Sequence, residues 1–402
     1  YTISIDELIE LAQKHYTSAR VNVVTQRYNH ANHRNSNQKK VLEYLILCGE
    51  KNINQVNIDS LKTELCSLTP TKKNPMYNSH MYWSQKAFNI CDSLVDALSN
   101  KGEIVFDPFL GSGVTTLEAI KSDLSRCAIG CDINDMPLFI SKLLLSINAT
   151  PNIKKTLEKF IQELNSLGHY YETTCPKCNT IGTISKVVFD KPERTGSNIT
   201  IKTINYSCTC SKKGVKSPDR TDYTKLTTIR KLENVTNTSL LYNSKIAVTE
   251  NDDIKNIFTG RNISVLDEIL SIIKKYEPAY QNILKYILMS ILHLCKITDK
   301  HSNSQWPLWI PKTDCVEKNI IDIYTKKIKK FYDVIPYMKE NYADSQIVES
   351  YNMLSPGKCL LIQKGSQLIT EQDIPKNGVD LIITDPPYLE QVLYSEYMQL
   401  YK

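Results

Sequence analysis

Two short motifs place residues with binding chemistry at the ends of apolar segments. The first, DPFLGSG, runs from Asp107 to Gly113, after the apolar segment 104–106 and before a helical pattern that begins at Thr115. Glycines there let the backbone turn sharply and approach a ligand, and the next helix offers free N–H groups. Asp132 ends the following apolar segment, where a carboxylate can accept hydrogen bonds from both ribose hydroxyls of an adenosine. The pattern predicts a nucleoside-containing ligand, and the missing third glycine of GxGxxG argues against a dinucleotide.

The second motif, DPPY, follows another apolar segment, near the end of the chain. It consists of Asp385, Pro386, Pro387 and Tyr388, and the pattern before it, at 379–384, is that of a buried strand. Adjacent prolines lack the N–H groups that a sheet needs, so the strand must end and a stiff loop must begin. Open α/β sheets bind ligands at the carboxyl ends of their strands, so we expect both motifs to face one cleft. A proline-rich surface turn with an exposed tyrosine is the alternative.

Four cysteines form two closely spaced pairs in the middle of the chain. Cys175 and Cys178 lie in CPKC, and Cys208 and Cys210 lie in CTC. Two thiolate pairs separated by strand-forming residues fit the tetrahedral four-cysteine site of a structural zinc ribbon. The second pair is CxC rather than CxxC, so unliganded core cysteines and a redox pair stay open as alternatives.

Positive charge is concentrated around these cysteines. Residues 170–232 contain twelve Lys or Arg and five Asp or Glu, a net +7, whereas the whole chain has a formal net charge of +6. A concentrated positive surface attracts a polyanion by counterion release, and nucleic acid is the commonest such partner. A solvated basic loop is the alternative. We expect the cysteine-bearing segment to contact nucleic acid phosphates.

The apolar segments around the motifs predict an α/β fold with a long insertion. Segments 104–106 and 127–132 flank a helical pattern, and strand patterns return only at 359–362 and 379–384. We expect one doubly wound sheet with an insertion, because parallel strands accept long crossovers without losing their pairing.

The remaining segments are predicted to be largely helical outside the cysteine region. Residues 1–70 have apolar positions at helical spacing, such as Val41, Leu42, Leu45 and Ile46, and Ile5 to Leu11 follow the same spacing. Two further helical patterns lie at 263–276 and 280–297. The predicted organisation is a helical N-terminal region 1–70, a first core part 71–150, an insertion 151–354 with a zinc ribbon at about 170–232 and a helical part at about 258–340, and a second core part 355–402.

Composition excludes several classes of protein. A hydrophobic fraction of 41% and a charged fraction of 23% are typical of globular chains and exclude a wholly disordered or collagenous protein. No apolar run approaches the roughly 20 residues of a membrane-spanning helix. The twelve cysteines are mostly scattered singly among aliphatic residues, which is typical of reduced intracellular proteins, so a cytoplasmic location is expected.

DPFLGSG followed by TDPPY resembles the S-adenosylmethionine-dependent amino-methyltransferases of DNA, which methylate adenine N6 or cytosine N4. The chain is similar, more closely, to adenine-specific DNA methylases with an internal zinc ribbon, through residues 258–262, WPLWIPK at 306–312 and the tail that begins with DPPYLEQ. The resemblance implies a class I methyltransferase fold, which is Rossmann-like, interrupted by the zinc ribbon and a helical insertion. It also implies DNA as substrate, with a restriction or defence-system subunit as a conceivable further partner.

In this resemblance, DPPY handles the target base. Asp385 and the carbonyl of Pro386 would each accept one N–H of the exocyclic amine and aim its lone pair at the methyl donor. Tyr388 would stack on the base after it is flipped out of the duplex. The family usually has Gly-Asp in the strand before DPPY, where this chain has Gly365 and Ser366.

The resemblance also assigns the residues of the cofactor pocket. Phe109, Gly111 and Gly113 match the loop along the methionine part of S-adenosylmethionine. Asp107 would face the ammonium group of the donor, and Asp132 would bind its ribose. Lys86, in YWSQKAF at 82–88, would close the pocket from the other side.

Adenine N6 is the expected target because Asp stands at the head of DPPY. Three alternatives remain: a DNA cytosine-N4 methyltransferase, an RNA guanine-N2 methyltransferase, which can also carry a DPPY-type loop, and an inactive zinc-dependent DNA-binding protein. The sequence continues for about one helix after DPPY, whereas the fold needs further strands, so we expect the chain to be truncated.

Overall fold

A computed structural model of the chain describes residues 18–27, 40–49, 58–71, 74–83, 85–190, 199–235, 239–240, 253–299, 314–386 and 397–401. These residues form two compact units. The first contains the described residues within Tyr1–Lys73, Ser84–Leu138 and Asp344–Pro386, and the second contains those within Asn74–Trp83, Phe139–Ala343 and Pro387–Lys402. In the described part of the chain, every helix is too short or too polar to cross a membrane.

The elements of the described residues are numbered here in chain order. The strands are β1 (Ser18–Arg27), β2 (Lys40–Gly49), β3 (Ile104–Asp107), β4 (Cys127–Asp132), β5 (Glu172–Thr174), β6 (Ile181–Phe189), β7 (Ile201–Cys208), β8 (Ser211–Lys216), β9 (Thr298–Asp299), β10 (Cys315–Lys318), β11 (Gln346–Val348), β12 (Lys358–Gln363) and β13 (Leu381–Ile382). The helices are α1 (Ile58–Ser67), α2 (Phe88–Leu98), α3 (Val114–Ile120), α4 (Asp135–Ser146), α5 (Ile153–Asn165), α6 (Arg220–Thr227), α7 (Gly260–Ile273), α8 (Pro278–Met289), α9 (Leu292–Cys295), α10 (Ile320–Phe331) and α11 (Val334–Asn341).

The first unit contains a five-stranded sheet in the order β11-β12-β4-β3-β13, in which every pair is parallel. β3 and β4 are short apolar strands that are buried along nearly their whole length, as expected for the interior of a parallel sheet. The predicted α/β class with a mostly parallel sheet is therefore confirmed. The sheet also includes β11, which lies before the predicted restart at 355.

The apolar core beside the sheet explains this strand order. Phe106 and Ile129 from the central strands pack with Val348, Leu360 and Ile362 from β11 and β12. All five are aliphatic or aromatic side chains that the strands hold out of water, so the core joins the early and late parts of the sequence.

The prediction of helix at Val41 to Ile46 is wrong, because these residues lie in β2, which pairs with β1 in an antiparallel hairpin. The segment is a nearly continuous apolar run, and periodicity alone cannot separate strand from helix in such a run. The predicted helix at Ile5 to Leu11 lies outside the described residues. The part of 1–70 that is helical is α1, whose Leu61 and Leu65 pack against apolar side chains of α2.

The second unit is built on a sheet in the order β8-β7-β6-β10-β9, with β5 paired to β6, and its pairs are antiparallel. The helical patterns predicted at 263–276 and 280–297 correspond to α7 and to α8 with α9. A buried ion pair joins α7 to the sheet, since Nε of Arg261 donates to Oε1 of Glu317 at 3.0 Å and both side chains are almost fully buried.

Candidate active site and metal centre

The glycine-rich loop turns sharply between β3 and α3. Gly111 has a φ of +53° and Gly113 a φ of +77°, a left-handed backbone that favours glycine over residues with a Cβ. Gly113 is the residue that precedes α3, and its carbonyl accepts the backbone N–H of Leu117 and the hydroxyl of Thr116, both at 2.9 Å. The two glycines therefore direct the chain from the sheet edge into the helix, as the sequence predicted.

Asp132 ties this loop to the neighbouring strand. Its Oδ2 accepts the N–H of Gly111 at 3.1 Å, and its Oδ1 accepts the N–H of Asn134 at 2.9 Å. Burial raises the pKa of Asp132, and the N–H groups of Asn134 and Gly111 offset only part of that rise. Each carboxylate oxygen can accept more than one hydrogen bond, so the pair can also receive two hydroxyls of a ribose.

Asp107, the last residue of β3, is fully buried and lies against a lysine. Its Oδ2 is 3.0 Å from Nζ of Lys86, and its Oδ1 accepts the N–H of Phe109 at 3.1 Å. Burial of the ammonium lowers the pKa of Lys86, but Asp107 outweighs burial, and the charge of Asp385 adds to the resulting rise. The charges of Asp107 in the glycine-rich loop and of Asp385 in DPPY therefore both raise the pKa of Lys86.

DPPY begins at the same edge of the sheet as the glycine-rich loop. β13 runs parallel to β3 with Ile382 opposite Phe106, and the N–H of Ile383 donates to the carbonyl of Phe106 at 3.1 Å. Asp107 is the last residue of β3, Asp385 lies three residues after the end of β13, and both Asp385 and Pro386 are exposed. The first half of the motif thus emerges beside the loop that is predicted to bind the donor.

The remaining predicted residues of this motif, Pro387 and Tyr388, lie outside the described residues, as does WPLWIPK at 306–312. Gly365, which stands where the family usually has Gly-Asp, follows the carboxyl end of β12. It therefore reaches the edge of the sheet that carries the two motifs.

Sequence reasoning missed two residues at this edge. Ile133, directly after Asp132, is 68% exposed, which is unusual for an isoleucine beside a buried strand. Asn134 holds the carboxylate of Asp132 through its backbone N–H and its side-chain amide, at 2.9 and 3.4 Å. An exposed apolar residue between two hydrogen-bonding residues can contact the flat face of a base, and the signal in the sequence was its position after a strand-end acid.

The four predicted cysteines converge in the second unit. Their Sγ atoms all lie within 4.8 Å of one another. The Sγ atoms of Cys208 and Cys210 are 3.3 Å apart, those of Cys175 and Cys210 are 3.6 Å apart, and those of Cys178 and Cys208 are 4.0 Å apart. A tetrahedral ion with metal–sulfur bonds of about 2.3 Å separates its sulfurs by about 3.8 Å. The four thiols therefore fit a closed tetrahedral metal site.

The CPKC turn positions the first pair by backbone hydrogen bonds. The N–H of Cys175 donates to the carbonyl of Thr180 at 2.9 Å, and the N–H of Asn179 donates to the carbonyl of Cys175 at 2.9 Å. Asn179 has a φ of +55°, a left-handed conformation that asparagine tolerates better than most residues. Cys175 is buried at the end of β5, while Cys208 ends β7 and Cys210 lies in the turn to β8.

Tyr206, on β7, is a residue beside the four cysteines that the sequence did not reveal. Its hydroxyl lies 3.2 Å from Sγ of Cys175, and this hydrogen bond is the largest of several contributions that lower the pKa of Cys175 to about 5. Glycines on the strands on either side make room for the ring. A Cβ on Gly214 would lie 2.5 Å from Cζ of Tyr206, and one on Gly182 would lie 3.0 Å from its Cδ2. The signal in the sequence was a glycine in each neighbouring strand.

A protein-family model matches the first third of the chain. Residues 3–141 match the sequence model of a family described as DNA methylase, of the N6 and N4 methyltransferase type. The match includes Lys86, the glycine-rich loop and Asp132, and it confirms the resemblance to DNA amino-methyltransferases. No curated protein and no solved structure gives a significant match to the chain.

Proposed function

We propose that the chain is an S-adenosylmethionine-dependent DNA methyltransferase that acts on the exocyclic amine of adenine, at N6. The observation that carries this proposal is the pairing of β3 with β13, which puts Asp107 and Asp385 at one edge of the sheet with Lys86 acting on both. The family match supports DNA methylation, and the aspartate at the head of DPPY favours adenine over cytosine.

The pocket residues fit the parts of this cofactor. The carboxyl group of Asp107 is buried beside a lysine and suits an ammonium group, while Asp132 suits the ribose and exposed Ile133 suits the adenine ring. S-adenosylmethionine, when bound, would supply an electrophilic methyl group on a sulfonium. Lys86 would balance the charge of Asp107 and lie near the carboxylate of the cofactor.

The protein's own part in the reaction is orientation. The amine of adenine is a poor nucleophile because its lone pair is delocalised into the ring. Asp385 and the carbonyl of Pro386 would each accept one N–H, which brings the nitrogen closer to tetrahedral and exposes its lone pair. Transfer of the methyl group would leave its bonding electron pair on the sulfur, and Asp385 or water would take up the proton that the nitrogen gives up. Tyr388 would hold the flipped base by stacking.

The test compares Asp385→Asn with a control, Glu371→Gln. Both variants remove one exposed carboxylate, but Glu371 precedes β13 and lies outside DPPY. Transfer of labelled methyl from S-adenosylmethionine to duplex DNA is followed, and the product nucleoside is identified after digestion. We expect the product N6-methyl-2′-deoxyadenosine, a fall in the transfer rate of about 10²- to 10³-fold in Asp385→Asn, and no change in the rate in Glu371→Gln. Cofactor binding, measured by calorimetry, should stay the same in both variants.

Three results would contradict parts of this proposal. Methylation of cytosine at N4 would correct the base, transfer to tRNA but not DNA would correct the nucleic acid, and retained turnover in Asp385→Asn would remove its assigned role. If S-adenosylmethionine does not bind the wild-type protein at all, an inactive DNA-binding protein becomes the better account.

We also propose that the four cysteines bind a structural zinc ion. The arrangement of the sulfurs supports this, and the ion would hold the two cysteine-bearing turns together. We expect about one zinc per chain by elemental analysis. Cys175→Ser should lose both the metal and solubility, whereas Cys66→Ser should lose neither, because Cys66 is exposed and lies outside the four-cysteine cluster.

A further inference from the structure

The positive charge of the cysteine-bearing segment is partly neutralised within the fold. Five of its cations have acidic partners. The pairs are Lys202 with Asp190 and Asp314 at 2.6 and 3.0 Å, Lys216 with Asp219 and Asp222 at 2.8 Å each, Lys225 with Glu172 at 3.9 Å, Arg230 with Glu268 at 3.5 Å, and Lys231 with Glu233 at 4.0 Å. These cations are poorly placed to bind an external polyanion, because they would first have to leave their partners.

Three lysines at the metal centre differ from these. Lys177, Lys212 and Lys213 are exposed, and no ion pair involves them within the described residues. The surrounding sequence contains no acid, since neither 173–189 nor 203–218 contains Asp or Glu. Their charge is therefore available to a partner.

The metal centre brings these lysines together. Lys177 lies inside the CPKC turn, and Lys212 and Lys213 follow Cys210 almost directly. Because the four Sγ atoms lie within 4.8 Å of one another, the two turns are held at the same end of the module. We call this end, defined by Lys177, Lys212 and Lys213, the lysine end.

Polar and apolar groups suited to a nucleic acid backbone surround the lysine end. Hydroxyl side chains on the same turns and strands are exposed and can donate to phosphate oxygens: Thr180, Thr183, Ser207 and Thr209. Ile181 and Val215 are 69% and 62% exposed and can contact sugar carbons. Lysines, hydroxyls and isolated apolar side chains without acids are the composition of a phosphate-contacting surface.

We propose that the lysine end binds the phosphate backbone of duplex DNA. This inference rests on the proposed function for the identity of the nucleic acid and deepens it by naming the surface. The metal ion acts indirectly, because it fixes the two turns that carry the charges. Its loss should therefore weaken DNA binding even though the ion does not touch DNA.

The test is the salt dependence of binding to a duplex, measured by fluorescence anisotropy. Replacing the three lysines by alanine should make the slope of log K against log salt about 2.7 smaller, at about 0.9 per lost phosphate contact. A matched control replaces Lys274, Lys275 and Lys285 by alanine, which removes the same charge from exposed positions of the same unit. The control should leave the slope unchanged, and replacing Lys177, Lys212 and Lys213 by arginine should preserve it.

Equal changes in the alanine variant and the control, or no change in either, would overturn the proposal, and so would a stronger preference for an RNA duplex than for DNA. Metal content and cofactor binding are measured on each variant to detect misfolding. If the alanine variant misfolds, the arginine variant tests the proposal, because it keeps the positive charge and should keep the wild-type slope. If the alanine variant keeps both the wild-type slope and normal methyl transfer, the proposed DNA-binding surface is wrong and the proposed activity is unaffected. If the slope falls as predicted in the alanine variant but the wild-type protein does not methylate DNA, the proposed activity is wrong and the proposed surface is unaffected.

Discussion

The hydrogen bond between Tyr206 and Cys175 gives a sharp test of the metal centre. Tyr206→Phe keeps the ring, which fills the space left by Gly182 and Gly214, and removes only the hydroxyl that lies 3.2 Å from Sγ of Cys175. The substitution therefore changes the surroundings of one thiolate and leaves the four sulfurs in place.

The expected magnitude follows from the position of the hydroxyl. Groups that hydrogen-bond to a metal ligand typically contribute about 10- to 100-fold to metal affinity, which is about 1.4 to 2.7 kcal/mol. Tyr206 makes the largest single contribution to the lowered pKa of Cys175, so it is the main stabiliser of that thiolate. We expect Tyr206→Phe to weaken zinc binding by 10-fold or more within that range.

The assay is competition for zinc against a chromophoric chelator. Tyr223→Phe is the matched control, because Tyr223 lies on α6 in the same unit and away from the cysteines in sequence. Gly214→Ala should lower the affinity further, since a Cβ there would lie 2.5 Å from the ring and displace it. If Tyr206→Phe binds zinc as tightly as the wild type, the hydroxyl does not act on the metal ligand and the reasoning fails.

Three further predictions concern other parts of the chain. Glu317→Gln should lower the free energy of unfolding by about 3 to 5 kcal/mol in urea titrations, because it leaves the buried guanidinium of Arg261 without its counter-charge. Gly113→Ala should weaken cofactor binding in calorimetry and cost about 1 to 2 kcal/mol of stability, because its φ of +77° is strained for alanine. Burial lowers the pKa of His80 and of His293 to about 3 from 6.5. The unfolded chain therefore binds protons that the folded chain excludes, and the free energy of unfolding from urea titrations should fall as the pH decreases from 6.5 toward 3, by up to about 1.4 kcal/mol per pH unit for each histidine. A free energy of unfolding unchanged between pH 7 and pH 5 would contradict the last prediction.

The parts of the site that the sequence predicted are those that local chemistry determines. Asp107, Asp132 and Asp385 each follow an apolar segment, and the carboxyl ends of parallel strands share one edge, so their grouping followed from the strand pattern alone. The four cysteines were recognisable because two short spacings limit the geometry. In the structure the three acids lie at one edge of the parallel sheet and the four Sγ atoms lie within 4.8 Å of one another, and the roles assigned to these residues stay predictions.

The parts that the sequence did not predict depend on contacts between distant residues. β2 is a strand because it pairs with β1, and its apolar run is equally compatible with a helix. The partner of Lys202, Asp314, lies more than one hundred residues further along the chain, so the net charge of 170–232 overstated the charge that is available. The position of Tyr206 beside the cysteines was also not predictable, because the glycines that make room for its ring lie on the two neighbouring strands.

The position of β3 between β4 and β13 has an evolutionary consequence. β13 follows β4 by about 250 residues, yet both are aligned on β3 by backbone hydrogen bonds that are largely indifferent to the intervening side chains. The part of the intervening chain that precedes β11 can therefore grow, shrink or be exchanged among descendants, while β11 and β12 stay in the sheet and the register of the three strand ends is inherited intact. In such a scaffold the insertion can change during evolution while the positions of the residues at the strand ends stay the same.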